Sequence, residues 1–352
     1  MTSTPLPRYV SLSTRKSKLR ARRPTPRQWL QLAMLLLCLW LGYEFTAFVH
    51  AAQNTTSGPL PARPAGVEGF LPIAGLMGLI DWLAQGQLNP VHPAAAVLVL
   101  TALTLAFLLR KAFCSWLCPI GSVSEMLAFA GRKLLRRNLR LPRWLDLSLM
   151  SVKYLLLGFF LWAFYSMGTA GIAAFTNSPY NQVADIKMLL FFTEIGTIGL
   201  TVLGFLVVGS VLVEGFWCRY GCPYGAMLGL VSWASPLRIR RNRGTCIDCS
   251  KCARVCPARL PVATKPSIGS VECTGCMQCV TACPVGDCLT MSTRRGFQFS
   301  ARRMGWAVAG VFLAFVIAAQ LSGYWDTNVT DAEYRYHMQH VDDSLYGHAG
   351  QR

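Results

Sequence analysis

Eight cysteines lie between residues 246 and 283 in two copies of one spacing, C-x2-C-x2-C-x3-C-P. Thiolate sulfur is a soft ligand that suits iron–sulfur clusters, zinc and Cu(I). Three closely spaced thiolates can bind one side of a metal centre, and the proline after the fourth cysteine stiffens the turn there. The first copy consists of Cys246, Cys249, Cys252 and Cys256, and the second of Cys273, Cys276, Cys279 and Cys283.

This spacing is that of bacterial ferredoxins, in which the fourth cysteine of each run binds the cluster of the other run. It predicts two [4Fe–4S] clusters. Two four-thiolate zinc sites are the alternative, but zinc sites usually have two CxxC pairs separated by a longer loop. We interpret Cys288, just beyond the second run, as a spare buried thiol. Cluster A is assigned to Cys246, Cys249, Cys252 and Cys283, and cluster B to Cys273, Cys276, Cys279 and Cys256.

A second cysteine pattern occurs twice before these runs. Segments 113–127 and 217–231 each contain an aromatic residue, Cys-x3-Cys-Pro, a bulky residue and glycine. Residues i and i+4 share a helical face and proline begins or kinks a helix, so each segment should present two thiols at a helix end. We expect the four thiols to form one redox or metal site, whose ligand the sequence does not specify, and ordinary helix-end packing is the alternative. The four cysteines are Cys114, Cys118, Cys218 and Cys222.

The composition indicates a mostly α-helical membrane protein with a small inserted module. Hydrophobic residues make up 53% of the 352 residues. Apolar runs long enough to cross a bilayer of ~30 Å as helices recur along the chain. We expect five spans and, between the first two, a short interfacial or re-entrant helix. The spans are 29–49, 94–109, 147–167, 195–216 and 304–321, and the short helix is 69–85.

These runs divide the chain into five expected parts. A cleaved signal peptide is the alternative for the first apolar run, but a long polar leader precedes it. Cys38 in that run is interpreted as packing. The parts are a basic leader (1–28), a four-span membrane domain (29–235), an α+β ferredoxin-like module (236–300), a fifth transmembrane helix (301–322) and a polar tail (323–352).

The net charge of +18 is unevenly distributed. Of the 34 Lys and Arg residues, 30 lie in the leader, in 110–153 and in 217–303, on one side of the expected spans. Cytoplasmic loops of membrane proteins are enriched in Lys and Arg. We therefore expect a bacterial inner-membrane protein with a cytoplasmic amino terminus and clusters, and a periplasmic carboxyl tail. Nucleic acid is not an expected partner, because no nucleic-acid motif accompanies the charge.

Histidines and acidic residues give weaker signals. His50 and His92 lie near the exported ends of two spans and could ligate a haem, but histidines there are more often polar anchors, so haem is not expected. His337 and His340 could bind a metal, although a solvated polar tail is the simpler interpretation. Glu214 is the most interesting acidic residue, because it lies four residues before a Cys-x3-Cys-Pro cysteine.

The spans, the paired Cys-x3-Cys-Pro segments and the following double-cluster module together resemble the NapH/NosR-type membrane polyferredoxins over roughly residues 70–295. The resemblance implies electron transfer between the quinol pool or a cytoplasmic donor and a partner reductase or cytochrome. Metal-centre assembly or copper reduction, known for related members, is the alternative function. Relatives often carry an extra Cys-Pro where this chain has residues 71–75, and no flavin-binding domain precedes the spans, so a covalent flavin is not expected.

Overall fold

The computed structural model describes residues 24–54, 58–136, 138–341, 343 and 346. Within these residues, a 3-10 turn spans Ala65–Phe70 and a π-helical turn spans Trp217–Gly221. The α-helices are α1 (Pro26–Asn54), α2 (Pro72–Gln85), α3 (Pro93–Leu109), α4 (Ala112–Trp116), α5 (Pro119–Leu135), α6 (Arg143–Thr176), α7 (Pro179–Gln182), α8 (Ala184–Thr193), α9 (Thr197–Leu212), α10 (Pro223–Ser232), α11 (Lys251–Arg254), α12 (Gln278–Thr281), α13 (Ala301–Ser322) and α14 (Asp331–Gln339).

Three described helices, α1, α6 and α13, are long and apolar enough to cross a membrane. Helices α8 and α9 meet that criterion together but are bent by 81° at the break between them. The mostly helical membrane fold is confirmed. The expected second span corresponds to the shorter apolar helix α3, and the expected fourth span corresponds to α9 at the end of the bent pair. In α6 the backbone kinks at Gly168, which has a φ of 62° and lies directly after the expected span 147–167.

The carboxyl-terminal tail packs on the first membrane helix, so the interpretation of a solvated tail was wrong for helix α14. Tyr334 and Met338 of α14 lie buried in a cluster with Phe45 and Phe48 of α1. A capping box at Thr330 begins the helix. Burial of two large side chains stabilises this contact by about 3–6 kcal/mol before the entropy cost of ordering the tail.

The ferredoxin-like module contains a four-stranded antiparallel sheet in the order β2–β1–β3–β4. In the central pair, Ile239 lies opposite Met291, and both side chains are buried. They belong to a core that continues into the ends of the membrane helices through Trp116, whose indole nitrogen donates to the Gly275 carbonyl at 3.2 Å. The strands are β1 (Arg238–Arg241), β2 (Ser267–Ile268), β3 (Leu289–Ser292) and β4 (Gln298–Phe299).

Candidate iron–sulfur sites and the adjoining thiol cavity

The cysteines assigned to cluster A come together around one small cavity on the exposed side of the module. Cys246, Cys249 and Cys252 of the first run line this cavity together with Cys283 of the second run. Cys288 lies beside them and is buried. The crossed combination of three cysteines and one is therefore the combination that the structure brings together.

The cysteines assigned to cluster B are more deeply placed. Cys273 and Cys279 are buried, and the sulfurs of Cys273 and Cys256 act electrostatically on Cys276 and Cys279. Burial, reinforced by these neighbouring sulfurs, raises the pKa of the Cys276 thiol to about 11. Burial and the neighbouring sulfurs raise the pKa of Cys256, Cys276 and Cys279, so these thiols need a positive centre to become thiolates together, and an iron–sulfur cluster supplies one. The four cysteines assigned to cluster B therefore fit the predicted [4Fe–4S] cluster.

The two cysteine loops have the same backbone form. Asp248 and Ser250 in the first loop have φ values of 48° and 54°, and Gly275 and Met277 at the equivalent positions of the second loop have 62° and 62°. Left-handed residues are uncommon outside glycine and turn the chain sharply. These turns wrap each three-cysteine loop around its site.

The Cys-x3-Cys-Pro segments differ from the expected pair on one helical face. Cys114 lies in α4, but the helix ends before Cys118, which caps the amino terminus of α5. Likewise Cys218 lies in the π-helical turn and Cys222 caps α10, where its sulfur accepts from the Gly225 amide at 3.2 Å. Proline is the first residue of α5 and α10, as expected, because its missing N–H is not needed there.

A close contact fixes the first of these turns. A side-chain carbon at Gly121 would lie 2.2 Å from the Cys114 carbonyl oxygen, so only glycine lets α5 approach α4 here. Gly121 is therefore part of what positions the first pair of thiols, whereas a side-chain carbon at Gly225 in the second segment would come no closer than 3.5 Å to its neighbours.

The two segments converge on one large apolar cavity of about 980 Å³. Cys114, Cys118, Cys218 and Cys222 all line it, and their sulfurs act electrostatically on one another. Among the described residues, no three His, Cys, Asp or Glu side chains are spaced to hold a single metal ion. Cys38, which we interpreted as packing, also lines this cavity, as does the cluster B cysteine Cys276.

A buried charge network beside the cavity was not anticipated. Glu272, directly before Cys273, accepts from the Lys153 ammonium at 2.8 and 2.7 Å and from the Tyr154 hydroxyl at 2.7 Å. Lys111 lies 3.6 Å from the same carboxylate. Burial alone would raise the pKa of the Glu272 carboxyl, but the two lysines hold it below its ordinary value. A lone lysine inside an apolar run is a signal that could have identified Lys153.

A second network joins the first membrane helix to cluster B. The Arg27 guanidinium donates to both Glu125 oxygens at 2.8 and 2.6 Å, and Gln278 donates to Glu125 at 3.0 Å. Burial disfavours the charged carboxyl, but Arg27 outweighs burial and lowers the pKa of Glu125. Because Gln278 lies between two cluster B cysteines, this network ties the second cysteine run to α1 and α5.

The residues with weaker signals lie apart from the thiol site or make ordinary contacts. His50 is exposed, whereas His92 is buried with its Nε2 2.6 Å from the Asn181 carbonyl oxygen. Burial opposes protonation of His92, but Glu68 at 3.3 Å outweighs it and raises its pKa. In the tail, His337 contacts the Tyr346 hydroxyl at 2.6 Å and His340 contacts a backbone carbonyl. Glu214 lines the cavity and pairs with Arg132 at 3.1 Å.

Comparison with known proteins gives matches over both cysteine patterns. A family described as "4Fe-4S binding domain" matches residues 91–142 and 195–245, which contain the two Cys-x3-Cys-Pro pairs. A family described as "4Fe-4S dicluster domain" matches residues 238–284. No solved structure matches the chain significantly.

Curated relatives extend the match to most of the chain. YccM of Escherichia coli is 44% identical over 317 residues, which cover 88% of this chain and 89% of the relative. The ferredoxin-type protein NapH of the same organism is 26% identical over 64% of this chain and 76% of its own length. The regulatory protein NosR of Stutzerimonas stutzeri is 28% identical over 70% of this chain but 35% of its own length. The chain belongs to the NapH/NosR-type family of membrane polyferredoxins.

Proposed function

We propose that this protein is a membrane-bound electron carrier that exchanges electrons between the quinol pool or a cytoplasmic donor and a partner oxidoreductase in the periplasm. The observation that carries the proposal is the apolar cavity whose wall contains both the paired Cys-x3-Cys-Pro cysteines and the cluster B cysteine Cys276. The name of the relative YccM describes a role in electron transport, which supports the same class of function.

Two four-cysteine sets are proposed to hold the two clusters. When bound, each [4Fe–4S] cluster exchanges one electron at a time. The protein's part is to place one cysteine set at the solvent side and the other at the cavity wall. Cys249 and Cys252 lie with exposed neighbours such as Ile247, whereas Cys273 and Cys279 are buried. This arrangement supports one redox site open to a soluble partner and one facing the membrane.

The cavity suits an apolar redox ligand with a polar head, such as a quinol. Leu98, Phe160 and Phe164 contribute apolar walls, and the carboxyl groups of Glu68 and Glu125 also line the cavity. Ligand sites of this kind are mostly apolar and contain a few polar groups that orient the ligand. A carboxylate at the wall can accept a hydrogen bond from a quinol hydroxyl.

The proposed setting is a bacterial inner membrane with the amino terminus and both clusters in the cytoplasm and the tail in the periplasm. The Lys and Arg distribution supports this orientation. The division into leader, four-span domain, module, fifth helix and tail is proposed on the same ground. The α8–α9 bend and the short α3 mean that the four-span domain contains helices of unequal length.

Quinol-driven reduction of the purified protein in lipid nanodiscs tests the function. We expect a menaquinol analogue to bleach the iron–sulfur absorbance, and Leu98→Trp to slow this reduction at least about tenfold by filling the cavity. Leu39→Trp is the matched control, because Leu39 is 71% exposed on α1 and should accept tryptophan without effect. Bleaching by dithionite but not by quinol, or equal rates in both variants, would remove quinol from the proposal.

The alternative is a metal-centre assembly or copper-reducing factor. The convergence of four thiols on one cavity favours it specifically, because soft thiolates suit Cu(I). In that case the purified protein should bind Cu(I) stoichiometrically. Cys118→Ser and Cys222→Ser should each lose this binding, and quinol should leave the clusters oxidised.

A further inference from the structure

Arg110 and Lys111 directly follow helix α3, and by sequence they belong with the positive charges of the expected cytoplasmic face. The structure buries both, with 0% of Arg110 and 4% of Lys111 exposed. Arg110 also has a φ of 62°, a left-handed conformation that is uncommon for a residue with a side chain. Burying a charge is costly unless it is paired, so two adjacent buried cations require an anionic partner.

Among the described residues, no carboxylate serves as the anionic partner of Arg110. Its guanidinium donates to the carbonyl oxygens of Ser232, at 3.3 Å, and Ser270. Its Nε has no hydrogen-bond partner, and within the described residues no carboxylate pairs with it. The hydrogen bond to Ser270 places the guanidinium three residues before Cys273, and a side-chain carbon at Gly275, between two cluster B cysteines, would lie 3.6 Å from the Arg110 Cβ. The charge of Arg110 also acts on the Cys273 sulfur. The contacts of Arg110 therefore point to the cluster B thiolates as its anionic partner.

Lys111 is left with a partial counter-charge. It lies 3.6 Å from a Glu272 oxygen that is already 2.7 Å from the Lys153 ammonium, so two ammonium groups share one carboxylate. The charge of Lys111 also acts on Cys114 and Cys222 of the paired cysteines. Lys111 thus approaches the carboxylate that directly precedes the cluster B cysteine Cys273, acts on the cavity thiols, and has only part of its positive charge compensated.

The surroundings of cluster A are different. Arg241 donates to the Cys246 sulfur at 3.4 Å and also pairs with Asp248 at 3.1 Å. Lys251 and Arg254 beside this site are exposed, where water and salt screen their charges. Cluster B therefore has uncompensated buried cations, whereas cluster A has a neutralised pair and screened surface charges.

We propose that Arg110 and Lys111 are the buried counter-ions of the membrane-facing redox sites, and that they set the reduction potential of cluster B above that of cluster A. The inference rests on the proposed function and on the crossed cysteine assignment. A fixed positive charge in a medium of low dielectric constant favours the reduced form, which carries one more negative charge. Cluster B then accepts an electron more readily than cluster A.

A redox titration followed by electron paramagnetic resonance tests this proposal without quinol or partner. We expect two midpoint potentials in the native protein. Arg110→Gln should make reduction of the higher-potential cluster at least about tenfold less favourable, which is 59 mV for one electron, and leave the other cluster unchanged. Lys111→Met should shift the same cluster in the same direction by less. Arg241→Gln, the control beside cluster A, should leave the midpoint potential of the higher-potential cluster unchanged.

Native protein gives an independent check if either variant loses iron. A water-soluble paramagnetic relaxation agent should broaden the signal of the lower-potential cluster, because cluster A lies on the solvent side. Broadening of the higher-potential signal would overturn the proposal. So would an Arg110→Gln protein with full iron content and unchanged potentials, or with both clusters shifted equally. Failure of quinol reduction with these shifts intact would count against the proposed function alone.

Discussion

Removal of the Glu272 carboxylate should loosen the second cysteine run from the membrane helices. The carboxylate accepts from Lys153 at 2.8 and 2.7 Å and from Tyr154 at 2.7 Å, and Lys111 lies at 3.6 Å. Glu272→Gln leaves two buried ammonium groups without a counter-charge, and breaking a buried pair in this way costs about 3–5 kcal/mol. Each 1.4 kcal/mol changes an equilibrium constant tenfold, so the population of the locally opened state should rise about 100-fold or more.

Iron release to a chelator, measured where opening is faster than chelation, reports this opened state. We expect Lys153→Met to have a smaller effect, because Glu272 then keeps Lys111 and the tyrosine hydroxyl. The double variant should fall well short of the summed effects, since the two groups form one pair. Glu214→Gln is the control, because the side chains of Glu214 and its partner Arg132 are 32% and 40% exposed. Loss of this exposed ion pair should cost less than about 1 kcal/mol.

Two results would refute this reasoning. One is a Glu272→Gln protein that releases iron at the native rate, because the network would then not hold the cysteine loop. The other is a Glu214→Gln effect as large as that of Glu272→Gln, because burial would then not decide the cost.

Three further predictions follow from the site and the charges. Cys118→Ser and Cys222→Ser should each abolish electron transfer with both cluster spectra intact, and the double variant should be no worse than either single; full activity in either would make the thiols simple packing. The pKa of Glu125 is lowered in the folded protein, so the charged carboxylate stabilises the fold above the ordinary glutamate pKa of about 4.3, and this stabilisation is lost as the pH falls through the folded value. Glu125→Gln should therefore reduce the increase in iron release that acid causes. An unchanged pH profile of iron release would contradict this prediction. A periplasm-dependent reporter should be active when fused after Gly323 and inactive near Ser267, and the reverse pattern would remove the last span from the topology.

Local spacing is the basis for predicting which cysteines bind each cluster. The crossed sets follow from the repeated run, because each three-cysteine loop is short and its fourth cysteine lies beyond a proline turn. Hydropathy likewise located α1, α6 and α13, since a helix that crosses a membrane needs about 20 apolar residues. The convergence of the two Cys-x3-Cys-Pro segments was expected from their repetition at equivalent helix ends.

Features that depend on distant parts of the chain were not predictable. Lys153 and Glu272 are 119 residues apart, and their pairing becomes visible only when α6 packs beside the module. The burial of Arg110 has the same origin, because a charge at a helix end is usually exposed to water or lipid headgroups. The close approach of α5 to α4 at Gly121 is a tertiary contact that spacing alone does not reveal.

Metal and sulfide content tests most directly the claim that eight cysteines hold two [4Fe–4S] clusters. The measurement is best made on the Cys118→Ser/Cys222→Ser double variant, so that a metal at the cavity thiols does not contribute. We predict about eight irons and about eight acid-labile sulfides per chain, because eight cysteines fill two four-iron clusters. Zinc at about two ions per chain with no labile sulfide would contradict the account.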